Sequence, residues 1–217
     1  MSAVTLVDPP KPRHAIKRGE PAWDIALLFP PQGQWTEEEY LALDTNRMIE
    51  LVDGCLEVLP VPTIFHQLIV QFLFKLLDAH VQSRGLGTVL MAPLPVRLWS
   101  GRFREPDVVF LRPGRVRSSR RPPEGADLAM EVVSEGKKSR ERDLETKRAE
   151  YAKAKISEYW IVDPQEWCIT VLSLKGKKYR VHGQFRAGSH ATSVLLRGFV
   201  VDVAAAISAG EVPANTR

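Results

Sequence analysis

The sequence contains few of the residues that build disulfide frameworks or zinc centres. Only two of its 217 residues are cysteines, Cys55 and Cys168, and they stand far apart in strand-like surroundings. Two cysteines without a short spacing form neither a zinc knuckle nor a disulfide-rich scaffold. The five histidines make no HxH or HxxxH pair, so the usual zinc-binding pattern is also missing. We therefore expect neither a zinc centre nor a catalytic thiol.

The sequence also lacks a long hydrophobic run near its N-terminus and a strong excess of one charge. The longest apolar run there, residues 25–29, is too short to span a bilayer or to form the core of a signal peptide. We therefore expect a cytoplasmic protein without membrane contact. The formal net charge of +4 is compatible with a polyanionic partner, although many proteins without such a partner share this bias.

Length and composition predict one globular domain with short extensions. Hydrophobic residues make up 44% and charged residues 26%, values typical of a globular protein that buries a sizeable core. Residues 1–30 are rich in proline and basic residues, and we predict that they form a loose arm. The folded domain is predicted over residues 31–205, followed by a C-terminal tail over residues 206–217.

Local signals predict a mixed α/β sandwich. Thr36 before three glutamates is typical of a helix N-cap, and this short helix is expected to end near Asp44. Asp53-Gly54 between two alternating runs predicts a tight β-hairpin. The other predicted elements are helices over residues 64–83 and 137–155 and strands over residues 88–91, 96–99, 107–111, 127–133, 159–164 and 167–174.

Two acidic residues interrupt predicted strands that are otherwise hydrophobic. Asp107 opens one strand, and Glu131 lies inside the next one along the chain. A buried carboxylate is costly unless a positive charge or a metal compensates it. Lys147 lies on the inward stripe of the following helix, between Leu144 and Tyr151, and would point toward Glu131 if helix and strand pack as neighbours. The pattern therefore predicts that these two acids and the lysine form one cluster.

Such a cluster has a chemical interpretation and a structural one. Two carboxylates and a backbone carbonyl form an all-oxygen site that suits Mg²⁺. A lysine beside the metal can orient the attacking water or stabilise charge on a phosphoryl oxygen, while the metal activates that water. Alternatively, Asp107 caps a strand and Glu131 forms a buried ion pair with Lys147 without any chemistry. The pattern alone leaves both hypotheses open.

A wider series of motifs resembles a known family. Pro106-Asp107 and Glu131-Val132-Val133 resemble the PD-(D/E)XK nuclease core, with Val133 in the place of the last lysine of that motif. The ordered series over residues 36–203 is similar to the Uma-two family of restriction endonucleases. The series consists of Glu50-Leu51-Val52-Asp53-Gly54, Pro60 with His66, Pro106-Asp107-Val108-Val109, Glu131-Val132-Val133-Ser134, Asp143 with Lys147, and Glu158-Tyr159-Trp160-Ile161-Val162-Asp163. The chain departs from the family at Ser134-Glu135, where Ser-Pro is usual, and at Lys155-Ile156, where a glycine is usual.

The resemblance implies a restriction-endonuclease-like α/β fold, in which helices flank a mixed β-sheet core. It implies that the missing lysine has moved to the helix as Lys147. It further implies that Asp107, Glu131 and the carbonyl of Val132 bind Mg²⁺, for which Mn²⁺ can substitute. Glu50 would be an additional acidic residue near the metal, although a strand-edge carboxylate before a turn is an equally good interpretation. DNA is the implied partner, and nucleases of this kind are commonly homodimers.

Several assignments stay open at this point. Asp143 either positions Lys147 or pairs with it on the helix surface, and we expect His66 to be a structural histidine. The arginine-rich loop over residues 112–125 and the basic residues 137–140 could contact phosphates, although charged loops are usually just solvated. Trp160 and Trp167 are expected to lie in strands and in the core.

Two functions of different classes follow from these observations. The first is a Mg²⁺-dependent endonuclease that hydrolyses phosphodiester bonds in DNA. The alternative is a nuclease-fold protein that serves in nucleic-acid binding or assembly, with little or no catalysis. The presence of Asp107, Glu131 and Lys147 together favours the endonuclease, because a binding module has no need of this trio.

Overall fold

The computed structural model describes residues 29–45 and 47–212. The arm predicted over residues 1–30 lies outside this part of the chain, apart from its last two residues. The end of the predicted tail, residues 213–217, also lies outside it.

The helices begin close to the predicted residues. Thr36 caps the first helix with a capping box: its hydroxyl accepts from the Glu39 amide at 3.2 Å, and the Glu39 carboxylate accepts from the Thr36 amide at 2.9 Å. Thr63 caps the second helix by accepting from the His66 amide at 3.1 Å. In the described residues the helices are α1 (Glu37–Leu41), α2 (Ile64–Gln82), α3 (Lys137–Glu141), α4 (Lys147–Lys153) and α5 (Val203–Ser208), and a π-helical segment (Arg142–Thr146) joins α3 to α4.

The strands form three sheets, of which the largest is the mixed sheet predicted from the sequence. The strands are β1 (Ile49–Val52), β2 (Cys55–Val58), β3 (Thr88–Met91), β4 (Val96–Trp99), β5 (Arg102–Arg104), β6 (Val108–Leu111), β7 (Leu128–Val132), β8 (Glu158–Asp163), β9 (Cys168–Lys175), β10 (Lys178–Arg186), β11 (His190–Thr192) and β12 (Val200–Asp202). The large sheet has the order β10-β9-β8-β7-β6-β3, and only β7 and β8 within it are parallel. Parallel neighbours need a crossover connection, which here is the segment from α3 to α4.

Helix α2 covers one face of the large sheet. Its buried side is formed by Ile69, Val70, Leu73, Leu77 and Val81, which join the core cluster that also contains residues of β6, β7 and β8. The spacing of these positions is that of one face of an amphipathic helix. By length and composition α2 could also cross a membrane, a criterion that core helices of soluble proteins meet as well.

A small four-stranded sheet, with the order β2-β1-β5-β4, stands beside the large one. Its first hairpin turns at Asp53-Gly54, where φ is +49° and +78°, values that Asp and Gly tolerate better than other residues. A Cβ at Gly54 would lie 2.6 Å from the carbonyl oxygen of Gly33, so the close approach of that loop also requires glycine. This sheet matters for the site because β1 carries Glu50 and β5 carries Arg104.

Three sequence predictions need correction. The helix predicted over residues 137–155 is interrupted by the π-helical segment. Trp160 is buried in β8 as expected. The prediction for Trp167 is wrong, because this residue lies in the turn before β9 with a positive φ and is 45% exposed. The tail boundary at residue 205 also falls inside α5, whose Ala206 and Ile207 are buried in the core. Strands β5, β10, β11 and β12 were not predicted.

Candidate active site

The predicted cluster of two acids and a lysine exists in the structure. Asp107 directly precedes β6 and lies opposite Glu131 of β7 in the antiparallel pairing of these strands. The Asp107 carboxylate accepts a hydrogen bond from the Val132 amide at 2.7 Å. Lys147, the first residue of α4, places its Nζ 2.9 Å from Oε1 of Glu131. The geometric prediction that Lys147 points toward Glu131 is therefore confirmed.

Lys147 is held by three carboxylates in the protein interior. Besides Glu131, its Nζ lies 3.4 Å from Oδ1 of Asp143 and 3.7 Å from Oε1 of Glu50, and its side chain is 2% exposed. Burial alone would lower the pKa of Lys147, but these carboxylates outweigh burial and raise it well above its ordinary value. The ammonium is consequently charged at any physiological pH. Asp143 is also buried, so its contact with Lys147 lies in the protein interior and not on the helix surface.

The surroundings favour the charged form of Lys147, but they favour the neutral form of Glu131. Burial raises the pKa of its carboxyl to about 8, with Asp107 and Asp143 adding to the rise and Lys147 opposing it. The Tyr151 hydroxyl also donates to Oε1 of Glu131 at 2.5 Å. Lys147 therefore only partly offsets the effects of burial and of the two neighbouring acids on the pKa of this carboxyl. A further positive charge in the cavity would favour the ionised carboxylate.

Glu50 belongs to a buried ion-pair network behind the cluster. Its Oε2 accepts from Nη1 of Arg104 at 2.6 Å, and its Oε1 accepts from the Glu105 amide at 2.9 Å. Burial would raise the pKa of Glu50, but Lys147 and Arg104 hold it below its usual value. Glu50 does not line the cavity described below. These contacts favour a supporting role for Glu50, and the direct metal contact inferred from the resemblance stays a prediction.

His66, which sequence reasoning assigned to the structural residues, lies at the centre of the site. Its Nε2 is 3.0 Å from the carbonyl oxygen of Val132 and 3.4 Å from Oδ2 of Asp107. Its Nδ1 is buried and has no hydrogen-bond partner among the described residues. Burial lowers the pKa of His66, but contact with Asp107 outweighs this and raises it overall. The sequence offered only one hint of this position, a histidine in the first turn of the long helix.

Glu105 is a second residue that the sequence analysis missed. It is 8% exposed, and its Oε2 is buried without a hydrogen-bond partner in the described part of the chain. Burial raises the pKa of its carboxyl to about 7, with Glu50 adding to the rise and Lys147 opposing it. The signal that could have identified it is the acidic residue directly before Pro106-Asp107.

Most of these side chains line a small cavity that lies beside a larger chamber. The cavity holds about 40 Å³, enough for a cation and one or two waters at roughly 10–15 Å³ for each water. The adjoining chamber of about 280 Å³ has mainly apolar walls. Both spaces are lined by Pro60, Pro62, His66, Val132 and Ser134.

The residues that line the cavity are compatible with a hard divalent cation. Asp107, Glu131 and Val132 all face it, and together they provide two carboxylates and a carbonyl, the ligand types that Mg²⁺ prefers. In residues 29–45 and 47–212, no three histidine, cysteine or acidic side chains already form a metal cluster. Water molecules would therefore have to complete the coordination, as is usual for Mg²⁺.

The basic segments lie at different ends of the large sheet. The loop over residues 112–125 follows the far end of β6, about 13 Å from Asp107 at roughly 3.3 Å per residue. In this loop Arg115 is tied to Asp127, with its Nε 3.0 Å from Oδ2. In contrast, the exposed Lys137 and Lys138 follow the end of β7 that carries Glu131. The basic residues after β7 therefore lie at the same end of the sheet as the acidic cluster, whereas the arginine-rich loop does not.

Comparisons with known proteins agree with this geometry. A family model, Uma2, described as "Putative restriction endonuclease", matches residues 37–204. The crystal structure of a "putative nuclease belonging to DUF820" from Anabaena variabilis superposes with a TM-score of 0.66, over 82% of this chain and 99% of that chain. The two sequences are 15% identical, so this likeness shows the fold alone. The search of curated proteins gives no match. The restriction-endonuclease-like fold expected from the sequence is confirmed.

Proposed function

The chain belongs to the Uma2 family, and from this membership we propose that the protein is a Mg²⁺-dependent endonuclease that hydrolyses phosphodiester bonds in DNA. The observation that supports this proposal best is the convergence of Asp107, Glu131 and Lys147 on one cavity. A buried site with perturbed carboxyl pKa values is typical of a catalytic centre.

In this proposal Asp107, Glu131 and the carbonyl of Val132 hold the cation. When bound, Mg²⁺ supplies charge that lowers the pKa of a coordinated water and polarises the phosphoryl group. The negative charge of the ionised Glu131 carboxylate would then be balanced by the metal ion together with the Lys147 ammonium, instead of by the ammonium alone. Mn²⁺, which accepts the same ligand types, should substitute.

Lys147 acts through its charge. Because three carboxylates raise its pKa, it cannot serve as a general base at neutral pH. Its ammonium can instead donate hydrogen bonds to the attacking water or to the phosphoryl oxygen that gains negative charge. Asp143 and Glu50 restrict its motion, which keeps Nζ beside Glu131. Lys137 and Lys138, exposed at the same end of the sheet, would contact the DNA backbone.

One observation favours the alternative, a nuclease-fold protein used for binding or assembly. The acids of the site already have partners within the protein: Lys147 pairs with Glu131, and His66 contacts Asp107. A buried ion pair of this kind needs no metal and can be purely structural. The two functions differ in whether the protein takes up a divalent cation and breaks phosphodiester bonds.

A cleavage assay distinguishes them. Purified protein is incubated with supercoiled plasmid and with single-stranded DNA in Mg²⁺, in Mn²⁺ and in a chelator. We expect nicking or cutting with either metal, none with the chelator, and none for Asp107→Asn or Lys147→Met. Asp127→Asn is the matched control, because Asp127 is a buried aspartate that also accepts from a backbone amide, that of Arg112 at 2.9 Å, at the opposite end of β7. Failure of the wild type on every substrate, or equal cutting by Asp107→Asn, would refute the proposal.

A further inference from the structure

The position of His66 relative to the proposed metal ligands has a chemical consequence. Two neighbouring ligands of an octahedral cation lie about 3.0 Å apart, because their bonds of about 2.1 Å meet at a right angle. The Nε2 of His66 lies 3.0 Å from the Val132 carbonyl oxygen and 3.4 Å from Oδ2 of Asp107. A cation bound by both oxygens would therefore lie near this nitrogen, and the side chains of His66, Asp107 and Glu131, which form no ready-made metal cluster in the described residues, would have to close around it.

The surroundings of His66 support a functional position for the ring. His66 is the third residue of α2, and the cap from Thr63 fixes the start of this helix. Its Nδ1 is buried and has no partner within residues 29–45 and 47–212, so a water molecule would have to accept the Nδ1–H of a metal-bound ring. The ring also lines the cavity together with Asp107 and Glu131.

We propose that His66 is a further ligand of the active-site metal, and that the site therefore selects a transition-metal ion such as Mn²⁺ over Mg²⁺. This inference rests on the proposed function, because it assumes that Asp107, Glu131 and Val132 hold a cation. A neutral imidazole is a good ligand for Mn²⁺, Fe²⁺ or Co²⁺, whereas Mg²⁺ prefers oxygen ligands throughout. Without metal, the Nε2–H donates to the Val132 carbonyl. With metal, the ring keeps one proton on Nδ1, and a ring that was protonated on both nitrogens releases the Nε2 proton to solvent, because the ligating nitrogen needs its lone pair.

This proposal is tested by metal binding, which does not depend on cleavage. Binding is measured on the wild type and on Lys147→Met, which is expected to be inactive. Calorimetric titration should give at least tenfold tighter binding of Mn²⁺ than of Mg²⁺. His66→Ala should weaken Mn²⁺ binding by tenfold or more and change Mg²⁺ binding by less than about threefold. Electron spin-echo spectroscopy of bound Mn²⁺ should detect a directly coordinated ¹⁴N nucleus in the wild type and lose it in His66→Ala.

His80→Ala is the matched control. His80 belongs to the same helix but lies 14 residues further on, about 21 Å along the helix axis. We expect it to leave the Mn²⁺ affinity and the ¹⁴N signal unchanged. Should His66→Ala fail to fold by circular dichroism, His66→Gln serves in its place, since it keeps a donor for the Val132 carbonyl but removes the imidazole nitrogen.

The outcomes separate this inference from the proposed function. If the wild type binds Mn²⁺ and cuts DNA but shows no ¹⁴N coupling, His66 is not a ligand and only this inference is overturned. Equal Mn²⁺ affinity of the wild type and His66→Ala would overturn it in the same way. If the wild type neither binds a divalent cation nor cuts DNA, both proposals fail.

Discussion

Replacing Arg104 with methionine should destabilise the fold strongly, because it removes the positive charge from a buried network. The Arg104 side chain is 1% exposed and donates to Glu50 at 2.6 Å and to Glu150 at 2.7 and 2.9 Å. Its pKa is raised well above the ordinary value because the carboxylates outweigh burial, so it is charged in the folded state. Methionine fills much of the same space but leaves the Glu50 carboxylate fully buried with fewer partners.

The magnitude follows from burial. Removing one partner of a buried ion pair costs about 3–5 kcal/mol, since the other charge stays behind without compensation. In a chain of this size about 1 kcal/mol corresponds to about 2–4 °C in melting temperature, so we expect a fall of about 6–20 °C. Arg97→Met is the matched control. Arg97 also makes a bidentate pair with a glutamate, Glu37, but the two side chains are 32% and 29% exposed. Arg97→Met should lower the free energy of unfolding by about 1 kcal/mol or less.

The loss should also depend on pH. In the wild type the pKa of Glu50 is lowered, because Lys147 and Arg104 outweigh the effect of burial. Glu50 therefore contributes stability above its unfolded pKa of about 4.3, and this contribution is lost as the pH falls through the folded value. Without Arg104, burial raises the Glu50 pKa relative to the wild type. The difference between wild type and Arg104→Met should then be largest near pH 8 and shrink toward pH 5.

Urea unfolding followed by circular dichroism at pH 5, 6.5 and 8 measures this difference directly. Metal should be removed with a chelator, because a bound cation would stabilise the folded state by itself. If Arg104→Met lowered the free energy of unfolding by no more than Arg97→Met, this would refute the argument that burial determines how much the network stabilises the fold. A loss that grew toward pH 5 would contradict the assigned sign.

Three further predictions concern the turn, the acid of the site and the substrate surface. Gly54→Ala should destabilise the fold by about 1–3 kcal/mol in urea unfolding. The φ of Gly54 is +78°, and the Cβ of an alanine there would lie 2.6 Å from the Gly33 carbonyl oxygen. An unchanged unfolding midpoint would contradict this prediction. Glu131→Gln should abolish cleavage without lowering the free energy of unfolding at pH 7 in chelator, because burial raises the folded pKa of this carboxyl above its unfolded value, and the neutral amide avoids the resulting cost of taking up a proton on folding; a large loss of stability would show that the ionised form is needed for folding. Reversing charge at Lys137 and Lys138 together should weaken duplex binding in fluorescence anisotropy and reduce the salt slope by about 0.9 for each lost phosphate contact, and an unchanged slope would remove these lysines from the interface.

The part of the site that could be predicted from sequence is the part that local periodicity determines. Strand alternation fixed the face on which Glu131 lies, and helical spacing placed Lys147 between Leu144 and Tyr151. These two constraints suffice when helix and strand are neighbours, as they are here. The contacts of His66 and Glu105 could not be predicted, for a different reason. Their positions depend on how α2 and the small sheet pack against the end of β7, and no local pattern records that packing.

The same distinction explains the errors in the fold. Strand β10 was overlooked although Tyr179, Val181 and Phe185 alternate with polar residues; it is an edge strand in which Gly183, at a register shift against β9, interrupts the apolar series. The π-helical segment changes the helical period within residues 137–155, which a constant spacing of 3.6 cannot anticipate. Trp167 was assigned to the core by residue type, although the turn that follows Asp163-Pro164 extends far enough to expose it.

The π-helical segment makes the geometry of the candidate site sensitive to chain length. It lies directly before Lys147 and contains Asp143, so it sets the rotational phase of both side chains relative to the sheet. Each residue of a regular helix turns the chain by about 100°, so shortening this segment by a single residue would swing the ammonium away from Glu131 while leaving every side chain of the site in the sequence. A relative of this protein with intact motifs but a crossover one residue shorter would therefore keep the composition of the centre and lose its alignment.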